Sequence, residues 1–226
     1  MNGIRRAGIV ALGLAIVLLM VALTGCGPQE ASGTSVAGDA QALIEQARAD
    51  LEAERYTEAV SKLEQALRQD DRVAEAHFLL GNAYARQNQF AQAEQEYLRA
   101  LELDTEHSDA RSNLGVVLYQ QGKYDRAREA FETVLRNHPD DAEVHYNLGG
   151  VLAAMNRFDE AIEHFQRATV LNPQLAEPYL GLGSVYQLQG KKEQAIAALK
   201  QYLQRATDET WRRQAEQKIR EMGGEP

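Results

Sequence analysis

Residues 142–173 read AEVHYNLGGVLAAMNRFDEAIEHFQRATVLNP. Apolar side chains recur at helical spacing in both halves, at Val144, Leu148, Val151 and Leu152, then at Phe158, Ala161, Ile162, Phe165, Ala168 and Leu171. The letters MNRF interrupt the periodicity between the halves, and Asn172-Pro173 ends the second half because the residue before proline disfavours the helical conformation. The stretch therefore predicts two antiparallel helices joined by a tight turn.

The same pattern returns every 34 residues. A glycine series holds Gly81, Gly115, Gly149 and Gly183, an alanine series holds Ala59, Ala93, Ala127, Ala161 and Ala195, and a large-residue series holds Leu63, Tyr97, Phe131, Phe165 and Leu199. Several series in phase at one interval indicate a repeat protein, in which each unit buries its apolar faces against its neighbours.

This interval and pattern resemble those of tetratricopeptide repeats, from about Ala40 to Glu209. The resemblance implies an all-α fold, a right-handed superhelical solenoid of antiparallel helix pairs. Five repeats are predicted, at 40–73, 74–107, 108–141, 142–175 and 176–209. Residues 210–226 predict a capping helix and tail, with Trp211, Ala215, Ile219 and Met222 packing from one apolar face.

The small-residue series predicts close contact between helices. Gly149 and Ala161 are expected where the two helices of the fourth repeat cross, because a larger side chain there would overpack the core. Glycine lowers helix propensity by about 1 kcal/mol, so its recurrence inside a helix suggests that close approach outweighs this loss. The aromatic residues Tyr97, Phe131 and Phe165 are expected to fill the space between neighbouring repeats.

The N-terminus has a different character. Two arginines, Arg5 and Arg6, precede seventeen uncharged residues, and the sequence LTGC then ends at Cys26, the one cysteine of the chain. This order is typical of a secretory signal peptide, and LTGC resembles the bacterial lipobox. The resemblance implies a signal peptide at 1–25 and lipidation of Cys26, and the Gly- and Ser-rich composition predicts a flexible tether at 26–39. An uncleaved membrane anchor is the alternative, since seventeen apolar residues are borderline for spanning a bilayer.

Motifs that carry catalysis are missing from the sequence. It contains no GxGxxG, GxxxxGK[ST], HExxH or GxSxG. His77 and His145 occupy the same repeat position two copies apart, too far from each other to share a metal. We therefore predict no catalytic residues, no metal site and no cofactor. The formal net charge of −9 also disfavours nucleic-acid binding.

The tetratricopeptide resemblance also implies a binding surface. The first helix of each repeat lines a concave groove in that family, and the matching positions here are Phe78, Asn82, Asn113, Tyr119, Tyr146, Asn147 and Leu180, with Arg86, Ser112, Val116, Gly150, Ser184 and Leu188 beside them. Some members clamp a C-terminal carboxylate with two asparagines and basic residues. Asn82 and Asn113 match the asparagines, but Phe78, Glu143 and Asn147 stand at the basic positions, so a clamp is not expected.

These features together predict a membrane-anchored interaction protein. It would act as an adaptor or scaffold that holds a protein or peptide partner in the groove, and its general plan resembles type IV pilus pilotins. Its expected location is the bacterial cell envelope, on the periplasmic face of the outer membrane or the outer face of the cytoplasmic membrane. The alternative function is a solute- or glycan-binding lipoprotein that assists a transporter or the cell wall.

Overall fold

The computed structural model describes residues 33–226, with side chains from residue 38 onward. This part of the chain holds eleven helices and no strand: α1 Gly33–Glu52, α2 Tyr56–Gln69, α3 Ala74–Arg86, α4 Phe90–Leu103, α5 Ser108–Gln120, α6 Tyr124–Asn137, α7 Ala142–Ala154, α8 Phe158–Leu171, α9 Glu177–Leu188, α10 Lys192–Leu203 and α11 Glu209–Glu221. None of these helices is both long enough and apolar enough to cross a membrane. The predicted signal peptide, Cys26 and the first part of the tether lie outside the described residues.

The helices are paired as the sequence predicts, one pair in each of the five repeats. Each helix packs against the next along the chain, and the first helices of successive repeats (α1, α3, α5, α7 and α9) also contact one another. These five helices therefore form one layer of an all-α solenoid, and the second helices of the repeats lie behind them. This arrangement confirms the predicted fold class.

The turn inside each repeat has the same backbone conformation in all five copies. One residue per turn has a positive φ, at Glu54, Asn88, Gly122, Asn156 and Gly190, with values between 58° and 72°. The amide of the following residue donates to a carbonyl five residues earlier, as Lys123 does to Leu118 at 2.9 Å. This is the Schellman motif that commonly ends helices, and glycine or asparagine suits its left-handed residue.

The recurrent glycines make room for aromatic rings. A Cβ atom on Gly149 would lie 2.7 Å from Cδ1 of Phe165, and one on Gly181 of the next repeat would lie 2.7 Å from Cζ of the same ring. Phe165 therefore fills the space between repeats four and five, as predicted. Ala161 is fully buried on α8, and the atoms nearest to a Cβ on Gly149 belong to the Phe165 ring, so this ring requires glycine at position 149. The predicted crossing of Gly149 with Ala161 stays a prediction.

Both ends of the described chain differ from the sequence prediction. Residues 33–39, predicted as tether, belong to α1, which begins at Gly33 and continues into the buried positions Ala40 and Ile44; no proline interrupts this segment. In α11, Ala215 and Ile219 are buried as predicted, but Trp211 is 52 % exposed. The reason is the rotation of α11, which directs Arg212 toward the Leu203 and Ala206 carbonyls at the end of α10.

Candidate functional site

Two cavities lie along the layer of first helices. The larger, of about 730 Å³, is lined by three of the predicted groove residues, Phe78, Asn82 and Asn113. Arg48 and Arg86 also line it, at the end of the groove nearer the N-terminus. The structure thus brings the predicted residues of repeats two and three together around one cavity.

The smaller cavity, of about 180 Å³, is lined by the predicted residues Tyr119, Tyr146 and Asn147. Val116, Gln120, Phe131 and Gly150 complete its walls. Leu180 lines neither cavity, because it packs partly buried against the C-terminal core around Leu199 and Tyr202. Six of the seven predicted groove residues therefore line the two cavities, and Leu180 is partly buried against the C-terminal core.

The side chains of Asn82 and Asn113 are hydrogen-bonded to each other. Oδ1 of Asn82 accepts hydrogen bonds from the Tyr97 hydroxyl at 2.7 Å and from Nδ2 of Asn113 at 2.8 Å. Burial raises the pKa of the Tyr97 phenol, so this hydroxyl stays protonated and remains a donor. These contacts tie α3, α4 and α5 together and give both asparagines a structural role. Within residues 38–226, Asn147 makes no comparable side-chain hydrogen bond.

Tyr146 links the groove to the core behind it. Its ring lies 6.0 Å from the ring of Phe165, centroid to centroid. Burial is the largest cause that raises the pKa of the Tyr146 phenol, and the nearby Glu177 carboxylate raises it further. The hydroxyl of Tyr146 is therefore neutral.

A histidine pair outside the groove was missed in the sequence. Nδ1 of His145 lies 2.9 Å from Nδ1 of His164, and Nε2 of His145 donates to the Pro139 carbonyl at 3.0 Å. His77 makes the equivalent contact two repeats earlier, with Glu96 at 2.6 Å. The common 19-residue spacing could have revealed both pairs. No group of three or more His, Cys, Asp or Glu side chains able to hold a metal occurs among the residues described.

The histidine pair predicts how the stability of the fold depends on pH. Burial, and then the charge of His145, lower the pKa of His164, and nearby carboxylates including Glu163 offset this only in part. Folded His164 thus binds fewer protons than the unfolded chain, so stability is lost as pH falls below the unfolded pKa of about 6.5. We expect His164→Gln to lose less stability than the wild type between about pH 7.5 and pH 5.5, measured by urea unfolding. The exposed His138 supplies the control variant, and equal losses in His164→Gln and wild type would contradict the prediction.

Known proteins share this architecture. Models of the tetratricopeptide repeat match residues 44–108, 112–176 and 152–216. The crystal structure of YrrB, a TPR protein with an unusual peptide-binding site, is similar at 23% identity, covering 79% of this chain and 92% of that chain, with a TM-score of 0.66.

Structures of MamA are similar as well. MamA residues 41 to the end from Desulfovibrio magneticus RS-1 give a TM-score of 0.69 at 22% identity, covering 74% of this chain and 94% of that one. The structure of MamA MSR-1 gives a TM-score of 0.63 at 27% identity, covering 72% of this chain and 94% of that one. No curated protein matches the sequence. Because the repeat models match residues 44–108 and 112–216, which is more than half of the chain, the chain belongs to the tetratricopeptide repeat family.

Proposed function

We propose that this protein is a membrane-anchored scaffold of the bacterial cell envelope that holds an extended segment of a partner protein in its groove. Tetratricopeptide repeat proteins generally mediate protein–protein interactions. The observation that carries the proposal is the row of two cavities along α3, α5 and α7, lined by aromatic, aliphatic and amide side chains. YrrB, which has a peptide-binding site, lends support through its similar fold.

The chemistry of the smaller cavity suits a peptide. Val116 and Tyr119 are each 38% exposed, so apolar surface is available for ligand side chains. Asn147 offers an amide that can donate to and accept from a ligand backbone. Binding energy in such interfaces concentrates in a few central residues, with aromatic side chains prominent among them.

We expect Tyr146→Ala to weaken partner binding by about 1–3 kcal/mol while helical content is unchanged, because a half-buried aromatic in the groove would be a central contact. Asn147→Ala should act in the same direction. Asn113→Ala should instead lower the melting temperature, because Asn113 bonds to Asn82. Affinity capture of the native partner from detergent-solubilised membranes, with circular dichroism of each variant, measures both effects.

The exposed Trp211 provides a matched control, since it is an aromatic residue on α11 and lines neither cavity. Trp211→Ala should leave capture unchanged. Loss of capture in Arg213→Ala together with normal capture in Tyr146→Ala would move the binding site to α11 and contradict the groove proposal.

The anchor is proposed from the sequence alone. Replacing Cys26 with alanine should release the protein from membranes or leave an unprocessed precursor, because no thiol would remain for lipidation. Fractionation after a high-salt wash measures this. A wild-type protein that washes off would contradict lipid anchoring, and a Cys26→Ala variant that stays embedded would favour the uncleaved anchor.

A solute- or glycan-binding lipoprotein is the second candidate. The observation in its favour is the 730 Å³ cavity, which falls in the size range of small-molecule sites. Against it, the Asn82 acceptor in that cavity is already occupied by Tyr97 and Asn113. Stabilisation of the wild type by a panel of sugars and amino acids, abolished in Phe78→Ala, would favour this candidate over a protein partner.

A further inference from the structure

Three acidic side chains stand one helical turn before the predicted groove positions in repeats three to five. Asp109, Glu143 and Glu177 stand in the first turns of α5, α7 and α9, and all three are exposed. Their carboxylates make no hydrogen bond or salt bridge within residues 38–226. The equivalent acid of repeat two, Glu75, differs, because Arg48 donates to it at 2.8 Å.

Basic side chains are missing from the same part of the groove. Arg111 is the one lysine or arginine in α5, α7 and α9. It donates to the Thr105 carbonyl and lines a different pocket with Arg126 and Glu129, away from the groove cavities. Repeats one and two, by contrast, place Arg48 and Arg86 at the larger cavity. The groove is therefore electrostatically asymmetric, with uncompensated negative charge in repeats three to five.

The helix dipole already favours acids in a first turn, so their presence does not by itself indicate a ligand. The position of the acids next to apolar surface is the second observation. Glu143 lies three residues before Tyr146 and four before Asn147 on α7, on the same helix face as these two lining residues of the smaller cavity. Asp109 lies four residues before Asn113, which lines the larger cavity. Apolar surface and unpaired carboxylates thus share one face of the solenoid.

We infer that the segment held in the groove is basic, with lysine or arginine side chains that pair with Asp109, Glu143 and Glu177 and apolar side chains that enter the Tyr119–Tyr146 cavity. This inference rests on the proposed function. The negative charge of the groove in repeats three to five is complementary to a positively charged segment. Packed helices lie about 8–10 Å apart, and an extended chain advances about 3.3 Å per residue. Basic residues about three positions apart in the bound segment would therefore reach acids of neighbouring repeats.

Three labelled peptides of identical length test this inference. The first carries lysine at every third position with leucine and serine between, the second has glutamate in place of lysine, and the third has glutamine. We expect the lysine peptide to bind most tightly to the full-length protein in fluorescence anisotropy, and its affinity to fall as salt is raised. Each of Asp109→Asn, Glu143→Gln and Glu177→Gln should weaken binding by about two- to five-fold.

Asp125→Asn is the matched control, because Asp125 is an exposed acid in the first turn of α6, outside the groove. It should leave the affinity unchanged. Equal or tighter binding of the glutamate or glutamine peptide would overturn the inference, as would an equal loss in Asp125→Asn. If no peptide binds, capture of the native partner decides. Capture that Tyr146→Ala reduces but the triple acid variant does not would overturn only the basic occupant, whereas capture insensitive to both would count against the groove function itself.

Discussion

Replacing Phe131 with alanine is expected to lower the free energy of unfolding by about 3–5 kcal/mol. The side chain is 1% exposed and belongs to the largest core cluster, which extends from α4 to α10. Its ring also fills the space next to Gly115, where a Cβ atom would lie 2.7 Å from Cζ of Phe131. Removing the ring therefore opens a cavity at the contact of α5 and α6, and the tightly packed helices can collapse into it only in part.

Urea unfolding followed by circular dichroism measures this loss. Phe78→Ala is the comparison, because Phe78 is only partly buried at the groove and has tilted ring contacts with Tyr97 and His107 at 6.3 and 4.6 Å. It should cost much less than Phe131→Ala. Equal losses for the two variants would show that the faces of the first and second helices are wrongly assigned.

Gly149→Ala and Gly150→Ala should change stability in opposite directions. The added methyl of Gly149→Ala would lie 2.7 Å from the Phe165 ring, which cannot move away because Gly181 lines its other side. Overpacking of this kind costs about 1–3 kcal/mol, of which better helix propensity recovers at most about 1 kcal/mol. A Cβ atom on Gly150 would meet nothing within 4 Å. Gly150→Ala should therefore raise the free energy of unfolding by up to about 1 kcal/mol, through its better helix propensity.

These two substitutions share a helix and make the same chemical change. Propensity is therefore matched, and the difference between their unfolding midpoints reports the contact with Phe165 alone. A stabilising Gly149→Ala would mean that the ring can shift, and repeats four and five would then be less tightly packed than the structure shows.

The 34-residue interval was sufficient to predict the helix pairs and their core faces, because the burial of one repeat against the next imposes the same residue types at the same positions. The positive-φ positions share that interval but are harder to recognise, since Glu54, Asn88 and Gly122 differ in type. Their common feature is a backbone conformation rather than a side chain. The sequence therefore predicted that a turn exists here but not its geometry.

The candidate site was predicted less completely than the fold. Groove positions followed from the resemblance, and six of the seven line the two cavities. The bond between Asn82 and Asn113 could not be predicted, because it depends on the rotamers of residues 31 positions apart. The same holds for Trp211, whose exposure follows from the rotation of α11 set by Arg212.

The identical turn in all five repeats makes the molecule modular. Because the turn within each repeat uses the same backbone conformation, the two helices of every pair are joined in the same way, and each repeat packs mainly against its neighbours. A 34-residue unit can therefore be duplicated or deleted without changes to the sequence of the other repeats. Groove length, and with it the length of partner segment that can be held, is a property that evolution or a designer can change in whole steps.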